Sequence, residues 1–199
     1  MAGDTKNNAL PSLGWLRLRP RAMMPDLHSF ADIHCHTSVG PDRVTSISPE
    51  CEITTEQGSA WYSVGIHPWD TDSPVDDELF SRLEELAYDD RVVAIGECGL
   101  DALRGGDAKV QEDVFIRQIE IAQRVGKPMI IHCVRRVGEL LRLRKFYPKG
   151  LWIYHGFRGK PETARQLAAA GIAISIGPAT SREKYASIPD ELIFTETDK

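Results

Sequence analysis

Four short apolar runs, each leading to a residue that chemistry can use, constrain this chain more than any other feature. Arg91-Val92-Val93-Ala94-Ile95-Gly96 leads to Glu97, and Lys127-Pro128-Met129-Ile130-Ile131 leads to His132. Leu151-Trp152-Ile153-Tyr154 leads to His155, and Glu191-Leu192-Ile193-Phe194-Thr195-Glu196-Thr197 to Asp198. Runs of this kind suit strands buried on both faces, as in a parallel sheet. A buried strand has no packing need for a terminal His, Glu or Asp, so the repetition points to a shared site. In a parallel barrel all strand C-termini meet at one face, where catalytic groups gather.

A further run, Phe30-Ala31-Asp32-Ile33-His34-Cys35-His36, reads as a strand ending in two histidines. Period-two alternation puts Asp32, His34 and His36 on one face. Two imidazoles so placed suit one divalent cation, and zinc, manganese, nickel or iron better than magnesium. Local hydrogen bonding is the competing explanation for the pair taken alone.

Between these runs the apolar spacing turns helical. Helices are expected over 76–88, 110–125, 137–147 and 161–170, and strands at 27–33, 43–47, 60–66, 92–96, 128–132, 151–155, 172–176 and 192–196. The fold class is therefore α/β, a (β/α)8 TIM-barrel-like arrangement. Its first units are abbreviated, because 31 positions separate His36 from His67, and no helix follows the last strand. Residues 1–25 are aperiodic and read as an irregular tail, with 26–199 as a single barrel domain. Leu192, Ile193 and Phe194 on the last strand then need cover, for which Leu10, Leu13, Trp15 and Leu16 of the tail are candidates.

Composition narrows the function. A net charge of −5 and a pI near 5.7 give no global field to hold a polyanion, so any such partner must be held locally. No apolar stretch approaches the roughly 20 residues of a membrane span, and the first 25 residues lack a secretory core. A cytoplasmic protein with no membrane partner is expected. Cys35, Cys51, Cys98 and Cys133 form no C-x-x-C pair and read as reduced thiols.

The motifs Asp32-x-His34-x-His36, Gly65-Ile66-His67-Pro68, Gly96-Glu97-Cys98-Gly99-Leu100-Asp101, Ile131-His132, His155-Gly156-Phe157-Arg158-Gly159 and Glu196-Thr197-Asp198 occur in the order found in one family. Over about Asp32 to Asp198 the chain resembles the TatD-like metal-dependent hydrolases, often called TatD DNases. The resemblance implies two divalent cations (Zn, Mn or Mg) held by His34, His36 and Asp198 on one side and His132 and His155 on the other, with Glu97 as the bridge. It also implies hydrolysis of phosphodiester bonds in DNA. The chain departs from the family at Val134, where an arginine is usual; Arg135 and Arg136 follow instead. The family's C-terminal helix is also absent.

The ligand types suggest the same chemistry without the name. Two cations sharing a water can lower its pKa and stabilise the attacking and leaving oxygens of an in-line displacement. Glu97 and Asp198 are the candidate catalytic carboxylates, the second as proton acceptor. Asp101 reads either as the partner of a ligand histidine or substrate, or as a turn-forming residue. His67 reads either as a contact to a substrate phosphate or as a turn histidine. Arg135 and Arg158, nearest the strand ends, are candidate phosphate contacts, and the remaining basic residues after His132 read as a solvated helix face. The competing functions are another metal-dependent phosphoesterase or amidohydrolase, which His-x-His followed by Thr37-Ser38 would also suit, and a truncated, poorly active metal-binding remnant.

Overall fold

In a computed structural model, which describes residues 24–54 and 60–199, the apolar runs become strands of one eight-stranded sheet. These are β1 (Asp32–Cys35), β2 (Arg43–Ile47), β3 (Trp61–Val64), β4 (Val92–Asp101), β5 (Met129–Val134), β6 (Trp152–Tyr154), β7 (Ile172–Ile176) and β8 (Ile193–Thr195), paired in chain order and all parallel. The sheet curls into a nearly closed barrel. β8 meets β1 without a strand ladder, through Thr195 Oγ1 donating to Ala31 O and Asp198 N–H donating to His34 O.

The connections fall where the periodicity expects them. Helix α1 (Asp77–Ala87) starts under Asp76, whose carboxylate accepts from Leu79 N–H, and α2 (Ala108–Val125) starts under Asp107. α3 (Val137–Phe146) follows β5, and α4 (Pro161–Ala169) follows β6 with Pro161 in its first turn. Among the described residues no regular helix follows β1 or β2, and short 3-10 turns fill the β7 to β8 connection.

Two apolar layers hold the barrel. Met129, Ile131, Trp152, Ile172 and Ile174 pack with Phe115, Ile119, Leu140 and Leu167 of the helices, while Val93, Ile130, Ile153, Ala173 and Phe194 form a second cluster. The alternation along β5 and β6 has a functional result. Ile130 and Ile153 are register partners in the inner cluster, so His132 and His155, two residues further on, share their face at the C-terminal mouth.

The structure corrects three expectations. The first strand does not run from 27. Asp26 accepts from His28 N–H, Ser29 Oγ donates to Asp26 O, and this local bonding makes Leu27–Ser29 a 3-10 turn whose Leu27 joins the inner cluster with Phe30. β4 runs on past Ile95 to Asp101, because Gly99 (φ 142°) lets it pass close to β5; a Cβ there would lie 2.0 Å from His132 O. The apolar residues Ile193 and Phe194 of the last strand are also not left exposed. Phe194 is buried, stacked on His28 at 4.2 Å, and Ile193 is buried with Tyr185 and Ile188 of the preceding connection. Leu10, Leu13, Trp15 and Leu16 lie outside the described residues.

Candidate metal centre

Glu97 is the hub of the barrel mouth. Its Oε1 lies 3.0 Å from His67 Nε2, 2.8 Å from His132 Nδ1 and 2.7 Å from His155 Nε2. Its Oε2 lies 3.3 Å from His34 Nε2 and 3.5 Å from His36 Nε2. Asp198 Oδ1 stands 3.6 and 3.7 Å from the same two nitrogens. The fold thus gathers all six expected metal ligands, and His67 with them. Glu97 itself is buried on β4, its N–H donating to Ser46 Oγ on β2.

The hydrogen-bond partners on the far side of each ring decide what its near side can do. His67 Nδ1 accepts from Trp69 N–H, so the neutral ring carries its proton on Nε2 and donates to Glu97. That makes it a support for the carboxylate. His132 is the opposite case: its Nε2 lies 3.0 Å from Asp101 Oδ2, which can only accept from it, and the lone pair on Nδ1 then faces Glu97. Two lone pairs at 2.8 Å need a proton or a cation between them. Asp101 is fixed in turn by Trp69 Nε1–H at 2.7 Å and by Leu103 N–H. A carboxylate behind a histidine in this manner sets ring orientation and basicity at metal sites.

His155 has a similar backing that the sequence pattern did not single out. Its Nδ1 is 3.8 Å from Glu196 Oε2, and Glu196 is buried, accepting from Gly156 N–H at 2.6 Å and from Ser175 Oγ. The only hint was that Glu196 stands in the Glu-Thr-Asp motif two places before Asp198. Asp32, which alternation had placed with His34 and His36, serves the barrel seam. Its carboxylate accepts from His34 N–H, Thr197 N–H and Thr197 Oγ1, at 3.2, 3.1 and 2.6 Å. Lys199 O accepts from His36 and Thr37 N–H, so the segment carrying Asp198 (φ 54°) is laced to the end of β1.

The basic residues divide. Arg136 pairs with Glu139, Arg142 with Glu112, and Arg144 is buried, donating to the carbonyls of Ala170, Lys149 and Gly171. Arg144 therefore corrects the expectation of a solvated helix face: it ties α3 to the end of α4. Arg135 (φ 55°) and Arg158 are exposed and have no hydrogen bond or ion pair to the centre among the described residues.

Charge state follows from this packing. Burial works against ionising Glu97, but the close imidazoles of His132 and His155 outweigh it and hold the carboxyl well below the usual carboxylate range. Burial likewise opposes charge on His155, yet Glu196 and Glu97 push its pKa up to about 10. His36 is lowered by burial and by neighbouring His34. The residues fit a cation on independent grounds. His34 is fully buried with neither ring nitrogen hydrogen-bonded, and His155 Nδ1 is likewise without a hydrogen bond. Among the described residues, four sets of three ligand atoms lie within 4.8 Å of one another: His34, His36 and Asp198; His34, Glu97 and His155; His67, Glu97 and His132; and His155, Glu196 and Asp198. Mixed imidazole and carboxylate donors suit a first-row divalent ion.

Comparison with known proteins identifies the family. A family model described as TatD related DNase matches residues 31–199. The chain is 33% identical over 159 residues to the 3'-5' ssDNA/RNA exonuclease TatD of Cronobacter turicensis, covering 74% of this chain and 60% of that protein. It is 33% identical over 171 residues to the metal-dependent hydrolase YabD of Bacillus subtilis, covering 80% and 66%. It thus spans about three-fifths to two-thirds of the length of these relatives. The crystal structure of YjjV, a TatD homologue from Escherichia coli, superposes with a TM-score of 0.67 at 22% identity, covering 87% of this chain and 80% of that one. A TatD family protein from Entamoeba histolytica gives 0.63 at 20% identity, with 86% and 74% covered. Both share the barrel. Among the described residues no helix is long and apolar enough to cross a membrane.

Proposed function

The chain belongs to the TatD-related DNase family, and from that premise we propose that it is a metal-dependent phosphodiesterase acting on DNA. The observation that carries this reading is one buried carboxylate, Glu97, faced by five imidazole nitrogens on its two oxygens. Such a cluster is electrostatically incomplete without positive charge at its centre.

In this reading His34, His36 and Asp198 would hold one divalent ion and His132 and His155 a second, with Glu97 as a ligand common to both. Zinc, manganese or magnesium bound there would neutralise charge on the phosphoryl oxygens and make water a better nucleophile at neutral pH. The protein's own groups do the positioning. His67 donates to Glu97 and keeps its oxygens divided between the two sides. Asp101 fixes the ring of His132, and Glu196 stands behind the ring of His155. Asp198, with 36% of its side chain exposed, is the carboxylate open to solvent and takes the proton from the attacking water as the P–O bond breaks. The leaving oxygen is protonated from solvent. The four free cysteines suit a reducing compartment, and the cytoplasm belongs to the same proposal.

The test is a metal-reconstitution assay. Protein stripped with chelator and reloaded with manganese, zinc or magnesium is expected to hydrolyse single-stranded DNA and bis(p-nitrophenyl) phosphate, and chelator to abolish both. Protein that takes up metal yet hydrolyses neither substrate with any of the three would defeat the reading.

A further inference from the structure

Beside the metal centre lies a second feature, of which the proposed reaction uses only the Trp69 N–H groups that support Asp101 and His67. Trp69 follows His67 and is 42% exposed, although its indole N–H is spent on Asp101. Its ring centroid is 5.7 Å from that of His132. Over the ring, 4.4 Å from the centroid, lies the guanidinium of Arg104. The Arg104 side chain is exposed to solvent. Among the described residues that side chain has no hydrogen bond and no carboxylate partner.

The loop that presents Arg104 is fixed. Gln111 of α2 donates from Nε2 to Asp101 O, Arg104 O and Gly106 O, and accepts from Asp101 N–H on Oε1. Asp101 Oδ1 accepts from Leu103 and Arg104 N–H. Gly105 (φ 81°) lies so close to the 68–72 turn that a Cβ would come within 2.0 Å of Pro68 O, and Gly106 N–H donates to Thr71 Oγ1 at 3.0 Å. Trp69 and Arg104 therefore stand on two segments locked together, and Leu103, 60% exposed, adds an apolar edge.

We infer that Trp69 and Arg104 form a nucleotide subsite beside the metal centre, which binds a non-scissile phosphate and its base in a single-stranded nucleic acid. A guanidinium stacked on an aromatic ring keeps its forked donors for phosphate, and its prior ordering reduces the rotamer entropy lost on binding. An exposed indole takes a base that is free of a duplex stack. Arg135 and Arg158 have no such support. The subsite gives an acidic protein the local phosphate contact that its net charge of −5 does not supply. The inference rests on the phosphodiesterase reading and adds the recognition of the strand next to the cut.

The experiment uses metal-loaded protein and a fluorescein-labelled single-stranded phosphorothioate DNA that resists hydrolysis, with affinity measured across a salt series. Arg104→Ala is expected to weaken binding about tenfold, as for loss of a charge-assisted hydrogen bond, and to flatten the slope of log K against log[salt] by about 0.7. Arg104→Lys keeps the slope and loses affinity, since an ammonium cannot stack as a guanidinium does. Trp69→Ala weakens binding as well, and the double variant weakens it less than the product of the two singles. In turnover, Arg104→Ala raises KM for the oligonucleotide more than it impairs bis(p-nitrophenyl) phosphate hydrolysis. An unchanged salt slope, additive single effects, or equal losses on the two substrates would each overturn the subsite. A parent protein that hydrolyses neither substrate defeats the phosphodiesterase reading instead, and the binding cycle still decides the subsite.

Discussion

The two sides of the metal centre are built differently. Glu97, His132 and His155 stand on or just beyond β4, β5 and β6, three consecutive strands backed by α2, α3 and α4, and each is tied from behind by Ser46, Asp101 or Glu196. His34, His36 and Asp198 stand at the seam where β1 meets β8 without a ladder, with His36 44% and Asp198 36% exposed. Helix-backed strands give a rigid set of donors; the seam gives a set that depends on the Asp32 to Thr197 bonds and the Lys199 carbonyl. Under the proposed function, the difference would assign preorganised binding to the first side, and access to substrate and proton exchange to the second.

The sharpest way to break this contrast is Glu97→Gln, since Glu97 faces both sides. It is expected to cut kcat/KM on bis(p-nitrophenyl) phosphate by about a thousandfold, the several kcal/mol that metal charge contributes in the transition state. His36→Ala, on the exposed side, should cost less activity and leave a metal on the helix-backed side. Metal content by plasma mass spectrometry beside steady-state rates checks both, and equal metal loss in the two variants would mean the sides are not distinct.

A smaller effect comes from pH and bears on the helix-backed side alone. Without a cation, His155 is held to about 10, above its ordinary 6.5. The stability its charge gives the metal-free fold is full below about 6.5 and is lost as pH rises through about 10. Metal must displace that proton, so its affinity should fall about tenfold for each unit of pH below that value. Glu196→Gln, which removes a carboxylate that holds the proton, should shift this dependence to lower pH. Calorimetry in buffers of different ionisation enthalpy reads the released proton directly, and no release between about pH 6 and 8 would contradict the assignment.

The smallest expected effect is at the seam. Asp32→Asn keeps the shape but weakens the charged acceptor of Thr197 N–H and Oγ1, and should cost about 1 to 3 kcal/mol of stability. Urea unfolding gives the stability, and manganese titration should show the loss of affinity confined to one of two sites. A uniform loss at both would make Asp32 a general stabiliser.

Much of this was legible in the chain itself. Period-two alternation after Ile130 and Ile153 puts His132 and His155 at one mouth, because a parallel barrel sends every strand's C-terminal end the same way. Helical spacing set the helices to within about two residues, and the Asp76 and Asp107 caps appear only in the structure. Residues whose role depends on distant partners were not legible. Glu196 behind His155, the tautomer imposed on His67 by Trp69, and Asp32 as a seam residue arise from contacts across 41, 2 and 165 positions, of which only the second is local. Leu27 looked like the start of a strand, and Asp26 with Ser29 made it a plug for the barrel floor. The sequence by itself determined which residues could hold a cation and that strand ends would gather them, since donor chemistry and alternation are properties of local chain. Only the tertiary structure decided which ring nitrogen each histidine presents, which carboxylate stands behind it, and that Arg104 lies over Trp69, because those depend on side chains meeting across elements that no local pattern brings together.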